Sequence, residues 1–184
     1  MEEVIKAIEE IFSKRNIRYV IIGGLASSIY GKPRMTSDID VVLIIDDKNN
    51  IKEILNKFLN YDFKEISNKK LKGFFNGYPL KIKHKNGFSI DLRLAGFSID
   101  FESIEKAKKI KFLGSKIFFA GPEDLIVYKL IRFNEIDRFD IKMIALRNKI
   151  NWSYVRDKAE NLEKEIKLNI VENLEKIKCE NMSK

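Results

Sequence analysis

The apolar positions change period along the chain, and each change marks an element. Residues 2–15 carry Val4, Ala7, Ile8, Ile11 and Phe12 at helical spacing, which predicts an amphipathic helix. Arg18 to Ile22 (RYVII) is a short β-branched run and reads as a buried strand. Gly23-Gly24 breaks it, Leu25–Tyr30 reads as a short helix, and Gly31-Lys32-Pro33 ends that helix. Ile39–Ile45 is a second buried strand and 46–50 a turn with helix-cap chemistry. Ile51–Leu59 is a helix with Ile51, Leu55, Phe58 and Leu59 on one face. The middle reads as strands at Phe63–Ile66, Leu71–Phe75, Leu80–Lys83 and Phe88–Leu94, with Asn76-Gly77 and Asn86-Gly87 as hairpin turns. A helix is expected over Ile99–Lys109, then a short hairpin around Gly114 over Ile110–Phe119.

Beyond Gly121 the pattern becomes wholly helical, with helices over 122–133, 136–148 and 154–178. Pro122 suits a helix first turn, where it forfeits no useful donor, and Glu123 and Asp124 suit the helix dipole. Val155, Ala159, Leu162, Ile166, Ile170 and Leu174 form one stripe down the last helix, expected to pack against the body. No internal repeat, low-complexity segment or linker interrupts the chain. The expected architecture is α/β (α+β): a mixed sheet flanked by helices over residues 1–120, followed by a helical part over 121–184.

Composition narrows the class. With 184 residues, 45% of them apolar, the chain can build a core without disulfides. Cys179 is the single cysteine and fits a reducing compartment. No run reaches the roughly 18 apolar residues of a membrane span. The opening MEEVIKAIEEIF is acidic where a signal peptide is basic, so a soluble cytoplasmic protein is expected. The formal net charge of +8 is concentrated between Lys64 and Lys85, which hold seven lysines and one acid, Glu65. Such a region attracts nucleic acid or nucleotide phosphates, or is simply a solvated lysine-rich face. His84, the single histidine, sits in K-I-K-H-K and is expected at the surface; with one distant cysteine it makes no zinc site. Trp152 is expected to anchor a helix junction.

The chemistry lies in IIGGLASSIYGKPRMTSDIDVVL. Asp38 and Asp40 are two apart at a strand start, so their side chains share a face. Paired carboxylates repel unless solvated or bridged by a cation, and a hard cation such as Mg²⁺ takes oxygen ligands. Gly23-Gly24 lets the backbone approach phosphate, and the following helix offers unpaired amides. Asp91, in FSIDLRLA, is a mid-strand acid that calls for a partner: a metal, Arg93 two residues on, or a lysine.

Gly23-Gly24, then Asp38-Ile39-Asp40, then Asp91 resembles the signature of the polymerase-β-like nucleotidyltransferase superfamily. GGLASSIYGKPRMTSDIDV is similar to the toxin-like branch that includes AbiEii-type abortive-infection proteins, with Arg34 and Thr36 ahead of the D-x-D. GPEDLIVYKLIRFNEIDRFDI resembles a second motif of that branch and carries Lys129, Asp137 and Asp140, the two acids on one helix face. The resemblance covers about residues 17–145. It implies that Asp38, Asp40 and Asp91 ligate Mg²⁺ (or Mn²⁺) and that Asp91 helps deprotonate an acceptor hydroxyl. It further implies that Gly23, Gly24, Ser27, Ser28, Arg34, Thr36, Ser37, Lys129, Asp137 and Asp140 bind the NTP. The acceptor is not readable from the chain: RNA (a tRNA end) fits the basic middle segment, and a protein hydroxyl or a small molecule stays open. A toxin-like member would have an antitoxin as its partner. The other class in view is a catalytically weak nucleotide- or RNA-binding module of the same fold.

Overall fold

The computed structural model describes residues 1–45 and 48–182. The fold is α/β. Helix α1 (Glu2–Ser13) buries Val4, Ile5, Ala7, Ile8, Ile11 and Phe12, and leads into β1 (Arg18–Ile22). Helix α2 (Gly23–Tyr30) starts directly at the glycines, two residues earlier than expected. Strand β2 (Asp38–Ile44) begins at the first aspartate and is followed by α3 (Lys48–Leu59). The turn expected over 46–50 falls at Asp46 and Asp47 outside the described residues, and α3 already includes the rest. Then come α4 (Asn68–Phe75), β3 (Leu80–Lys83), β4 (Ser89–Leu94), α5 (Ser98–Glu105) and the hairpin β5 (Lys108–Phe112) and β6 (Ser115–Phe119). Helices α6 (Pro122–Arg132), α7 (Glu135–Arg147), α8 (Trp152–Ile166) and α9 (Ile170–Met182) complete the described chain.

The six strands form one mixed sheet in the order β3-β4-β2-β1-β6-β5. Strand β2 is antiparallel to β1 and parallel to β4, while β1 and β6 are parallel. Helix α1 packs on β6 and α3, α5 on β1 and β2, and α6 on α2, α7 and α8. A single apolar cluster runs from Val4 through the strands to Ile177.

Five expectations are corrected. Leu71–Phe75 is helical, because Leu71, Phe74 and Phe75 have i, i+3, i+4 spacing, and Asn76-Gly77 closes that helix rather than a hairpin. Phe63–Ile66 contributes only a single bridge, Phe63 to His84. The helix expected to reach Lys109 stops at Glu105, because alternating K-I-K-F is already β5. The long last helix divides at Lys167, a left-handed residue at φ 55°, so the expected stripe splits: Val155, Ala159 and Leu162 are buried on α8, Ile170 and Leu174 on α9, and Ile166 between them is half-buried. His84 is also not at the surface. It is 3% exposed, its ring stands 4.8 Å from that of Phe63, and its Nδ1 accepts from the Asn86 amide of the Asn86-Gly87 turn.

Candidate active site

Sheet register assembles the acids. In the β2–β4 pair Asp40 is opposite Asp91, and in the β3–β4 pair Asp91 is opposite Lys81. Opposed residues in adjacent strands share a face, so Lys81, Asp91 and Asp40 stand abreast on three strands. Asp38 lies on that face too, opposite Ser89. The Lys81 ammonium bridges Asp38 Oδ1 at 3.0 Å and Asp91 Oδ2 at 3.2 Å, and the Ser89 hydroxyl donates a short bond to Asp38 Oδ1. The salt-bridge partner of Asp91 is therefore a lysine, not Arg93, whose guanidinium is committed to Asp100 through two 2.6 Å bonds.

The three carboxylates differ electrostatically. The Ser89 hydroxyl and then the Lys81 ammonium hold Asp38 below the ordinary carboxylate value. Burial raises Asp40, and the negative charges of Asp91 and Asp38 add to it, against an opposing pull from the Gly24 amide. Burial also raises Asp91, with Lys81 acting against it. Asp91 Oδ1 is buried and has no hydrogen-bond partner. Among the described residues no three His, Cys, Asp or Glu side chains form a group able to hold a metal ion unaided. Mg²⁺ is commonly held by one or two carboxylates, with substrate phosphates and water as its other ligands. An orphaned carboxylate oxygen beside an acid burdened by like charges suits such a partial donor set.

The acids open into a cleft of about 520 Å³. Gly23, Gly24, Arg34, Thr36, Asp38, Asp40, Asp91, Lys129 and Asp137 line it, together with Arg93, Phe97, Tyr128 and Arg132. Gly23 has φ +68°, and a Cβ there would fall 1.9 Å from Asp40 Oδ2. A Cβ on Gly24 would fall 2.8 Å from an Arg34 guanidinium nitrogen. Gly23 is thus required by its backbone conformation and by the carboxylate packed over it, whereas a side chain at Gly24 would displace the Arg34 guanidinium.

The remaining expected residues make hydrogen bonds and ion pairs within and beside the cleft. The Ser27 hydroxyl donates to the Gly23 carbonyl at 2.8 Å, and that of Ser28 to the Gly24 carbonyl at 3.0 Å. Thr36 Oγ1 donates to the Asp38 carbonyl at 3.0 Å, and the Ser37 hydroxyl reaches Asp38 Oδ2 at 3.4 Å. Asp140 sits behind the cleft wall, where it accepts from Arg34 Nε and Nη2 at 3.2 and 3.1 Å and pairs with Lys129 at 2.7 Å. Lys129 is 5% exposed and also touches Asp137 at 3.2 Å. The N-cap of α7 is Asn134, which accepts from the Asp137 amide.

Sequence reasoning passed over Lys81, Arg132 and the Arg93–Asp100 pair. Arg132 lines the cleft with its side chain 75% exposed and reaches Asp137 Oδ2 at 3.4 Å. Asp100 is fully buried and also accepts from the Tyr128 hydroxyl at 2.9 Å. Burial alone would raise its carboxyl, but the Arg93 guanidinium together with the Gly96 and Phe97 amides holds it below the usual value. Lys81 had a weak signal in K-I-K-H-K, whose alternation marks a strand; its place beside Asp91 needs the register.

The family model described as "Nucleotidyltransferase of unknown function (DUF6036)" matches residues 1–183. No curated protein sequence matches the chain. Among solved structures, the chain is similar to an antigenic nucleotidyltransferase-like protein from Paracoccidioides brasiliensis, at 20% identity and TM-score 0.51, over 95% of this chain and 91% of that one. It is similar to the lincosamide antibiotic adenylyltransferase LnuA, lincomycin-bound, at 18% identity and TM-score 0.53, over 79% and 96%. It is also similar to the antibiotic-resistance factor ANT(2'')-Ia, at 15% identity and TM-score 0.53, over 99% and 91%. The fold is nucleotidyltransferase-like, with helices at its C-terminal end. Among the described residues no helix is long and apolar enough to cross a membrane.

Proposed function

The chain belongs to this nucleotidyltransferase family, and on that premise we propose that it transfers a nucleotide from an NTP to an acceptor hydroxyl with the help of Mg²⁺ or Mn²⁺. The observation that carries the reading is the placement of Asp38, Asp40 and Asp91 on one sheet face beside the Gly23-Gly24 turn. Asp40 and Asp91, with Asp38 beside them, would hold the cation. When bound, it would neutralise charge on the phosphates and make the acceptor hydroxyl more acidic.

The chain's own residues divide the remaining work. Asp91 is the base: its carboxyl is raised by burial, and it receives the acceptor proton as the new bond to the α-phosphorus forms and pyrophosphate departs. Arg132, exposed in the cleft lining, and Arg34 meet the phosphate chain. Lys129 fixes Asp137 and Asp140, so that Arg34 is held toward Gly24. Phe97 and Tyr128 give the cleft an apolar flank.

RNA is the favoured acceptor, with a protein hydroxyl as the alternative. Lys81 and Lys83 alternate on β3 on the face that carries Asp91 and Ser89, and Lys64, Lys69, Lys70, Lys72 and Lys85 are exposed nearby in sequence. The Gly-Gly to D-x-D stretch and the Pro122–Ile141 segment resemble the AbiEii-type branch, which supports a toxin-like cytoplasmic enzyme with an antitoxin partner.

The test is transfer of label from each of four α-labelled NTPs, with Mg²⁺, to total RNA and to total protein. Transfer by the native chain and none by Asp38→Ala is expected. NTP binding without transfer to either acceptor would leave a binding module of the same fold.

A further inference from the structure

The acid cluster already contains a cation of its own. Lys81 Nζ lies 3.0 Å from Asp38 Oδ1 on β2 and 3.2 Å from Asp91 Oδ2 on β4, so one ammonium neutralises carboxylates from two different strands. Asp40, the third acid, receives no ion pair from it. Strand β3 is at the edge of the sheet, and the Lys81 side chain is 43% exposed. Its four-carbon stem can swing into solvent without disturbing the ladder. The alternating neighbours Leu80 and Ile82, both 1% exposed, keep the backbone in place whatever the lysine does.

We propose that Lys81 is a displaceable counter-cation, which holds the acids together in the metal-free protein and gives up its place when a divalent ion and nucleotide enter. This rests on the metal-dependent reading above. An ammonium on Asp91 Oδ2 and Asp38 Oδ1 and a divalent ion on the same pair of carboxylates would stand a few ångströms apart and repel one another strongly. The lysine therefore weakens metal binding to the empty site. It makes stable occupancy depend on the extra phosphate ligands that the nucleotide supplies. Lys81 is in this account a positioning residue, acting through Asp38 and Asp91.

The experiment is a Mn²⁺ titration followed by the paramagnetic resonance of the free ion, with and without an α,β-methylene NTP analogue. The proteins are the native chain, Lys81→Met, Lys81→Gln, Lys81→Arg and Asp40→Asn, each checked for folding by circular dichroism. Without nucleotide, Lys81→Met and Lys81→Gln should bind Mn²⁺ about tenfold more tightly than the native chain, and Lys81→Arg should match it. The nucleotide analogue should tighten Mn²⁺ binding more in the native chain than in Lys81→Met. A lysine with a merely structural role would move melting temperature without tightening Mn²⁺. Equal or weaker binding by the folded Met and Gln variants, with Asp40→Asn abolishing binding, overturns the role of Lys81 and leaves the metal reading standing. No Mn²⁺ binding by any protein, even with the analogue, overturns both.

Discussion

A Cβ on Gly23 would stand 1.9 Å from Asp40 Oδ2, so the turn after β1 and the second acid of β2 occupy one space. Ile22 and Asp40 are register partners across the β1–β2 pair, which brings the turn and the carboxylate together. Gly23→Ala should therefore both strain a φ of +68° and push the acid away. A loss of about 2 kcal/mol or more is expected in denaturant unfolding, with transfer activity lost in the fraction that still folds.

Asp40→Asn should do the opposite to stability. The Asp40 carboxyl is raised by burial and by the charges of Asp91 and Asp38. The folded state thus binds its proton more tightly than the unfolded chain does. Its favourable contribution is complete below the unfolded value of 3.8 and is lost as pH rises through the raised folded value. At neutral pH in EDTA, the Asn variant should melt higher than the native chain and show no transfer. A lower melting temperature would show that the charge is compensated.

Asp100 supplies a stability term of opposite sign. Burial is outweighed by Arg93 together with the Gly96 and Phe97 amides, and its carboxyl lies below the ordinary value. Its contribution is present above the unfolded value of 3.8 and is lost as pH falls through the lowered folded one. Asp100→Asn should flatten the acid limb of a melting-temperature profile. It should also destabilise at neutral pH by about 3 kcal/mol, because Arg93 loses its partner in a part-buried site.

Lys129 and Arg132 lie one helical turn apart and should behave differently. Lys129 is buried between Asp137 and Asp140, so Lys129→Met leaves two buried acids short of a cation and should cost about 3–5 kcal/mol. Arg132→Ala, with its side chain 75% exposed, should change stability by less than about 1 kcal/mol while raising the KM for NTP. Equal KM values in Arg132→Ala and the native chain would remove Arg132 from phosphate binding.

Much of this site could be read along the chain because its landmarks are local. Gly23-Gly24 and Asp38-Ile39-Asp40 are close in sequence, and β-branched runs marked β1 and β2 on either side. Asp91 was legible as an acid in an apolar strand. What stayed hidden depends on register and on partners far away in sequence. That Lys81 rather than Arg93 serves Asp91 follows from β3 lying antiparallel to β4, and that Arg93 is held by Asp100 follows from where α5 begins. Also hidden was the return of the Ser27 and Ser28 hydroxyls to a carbonyl four residues back, a bond available to any helical serine. Leu71–Phe75 misled because a short apolar run suits either element, and the break at Lys167 carried no glycine to announce it.

The sheet ends in β3 on one side and β5 on the other, and both rims alternate lysine with apolar side chains. At β3 the Lys83 carbonyl already accepts from the Lys64 amide, and a second chain pairing along β5 would bring its own lysines against Lys109 and Lys111. Such like-charge contact guards open sheet edges against self-association. Lys109 and Lys111 thus keep the β5 border, which would otherwise invite aggregation, from growing.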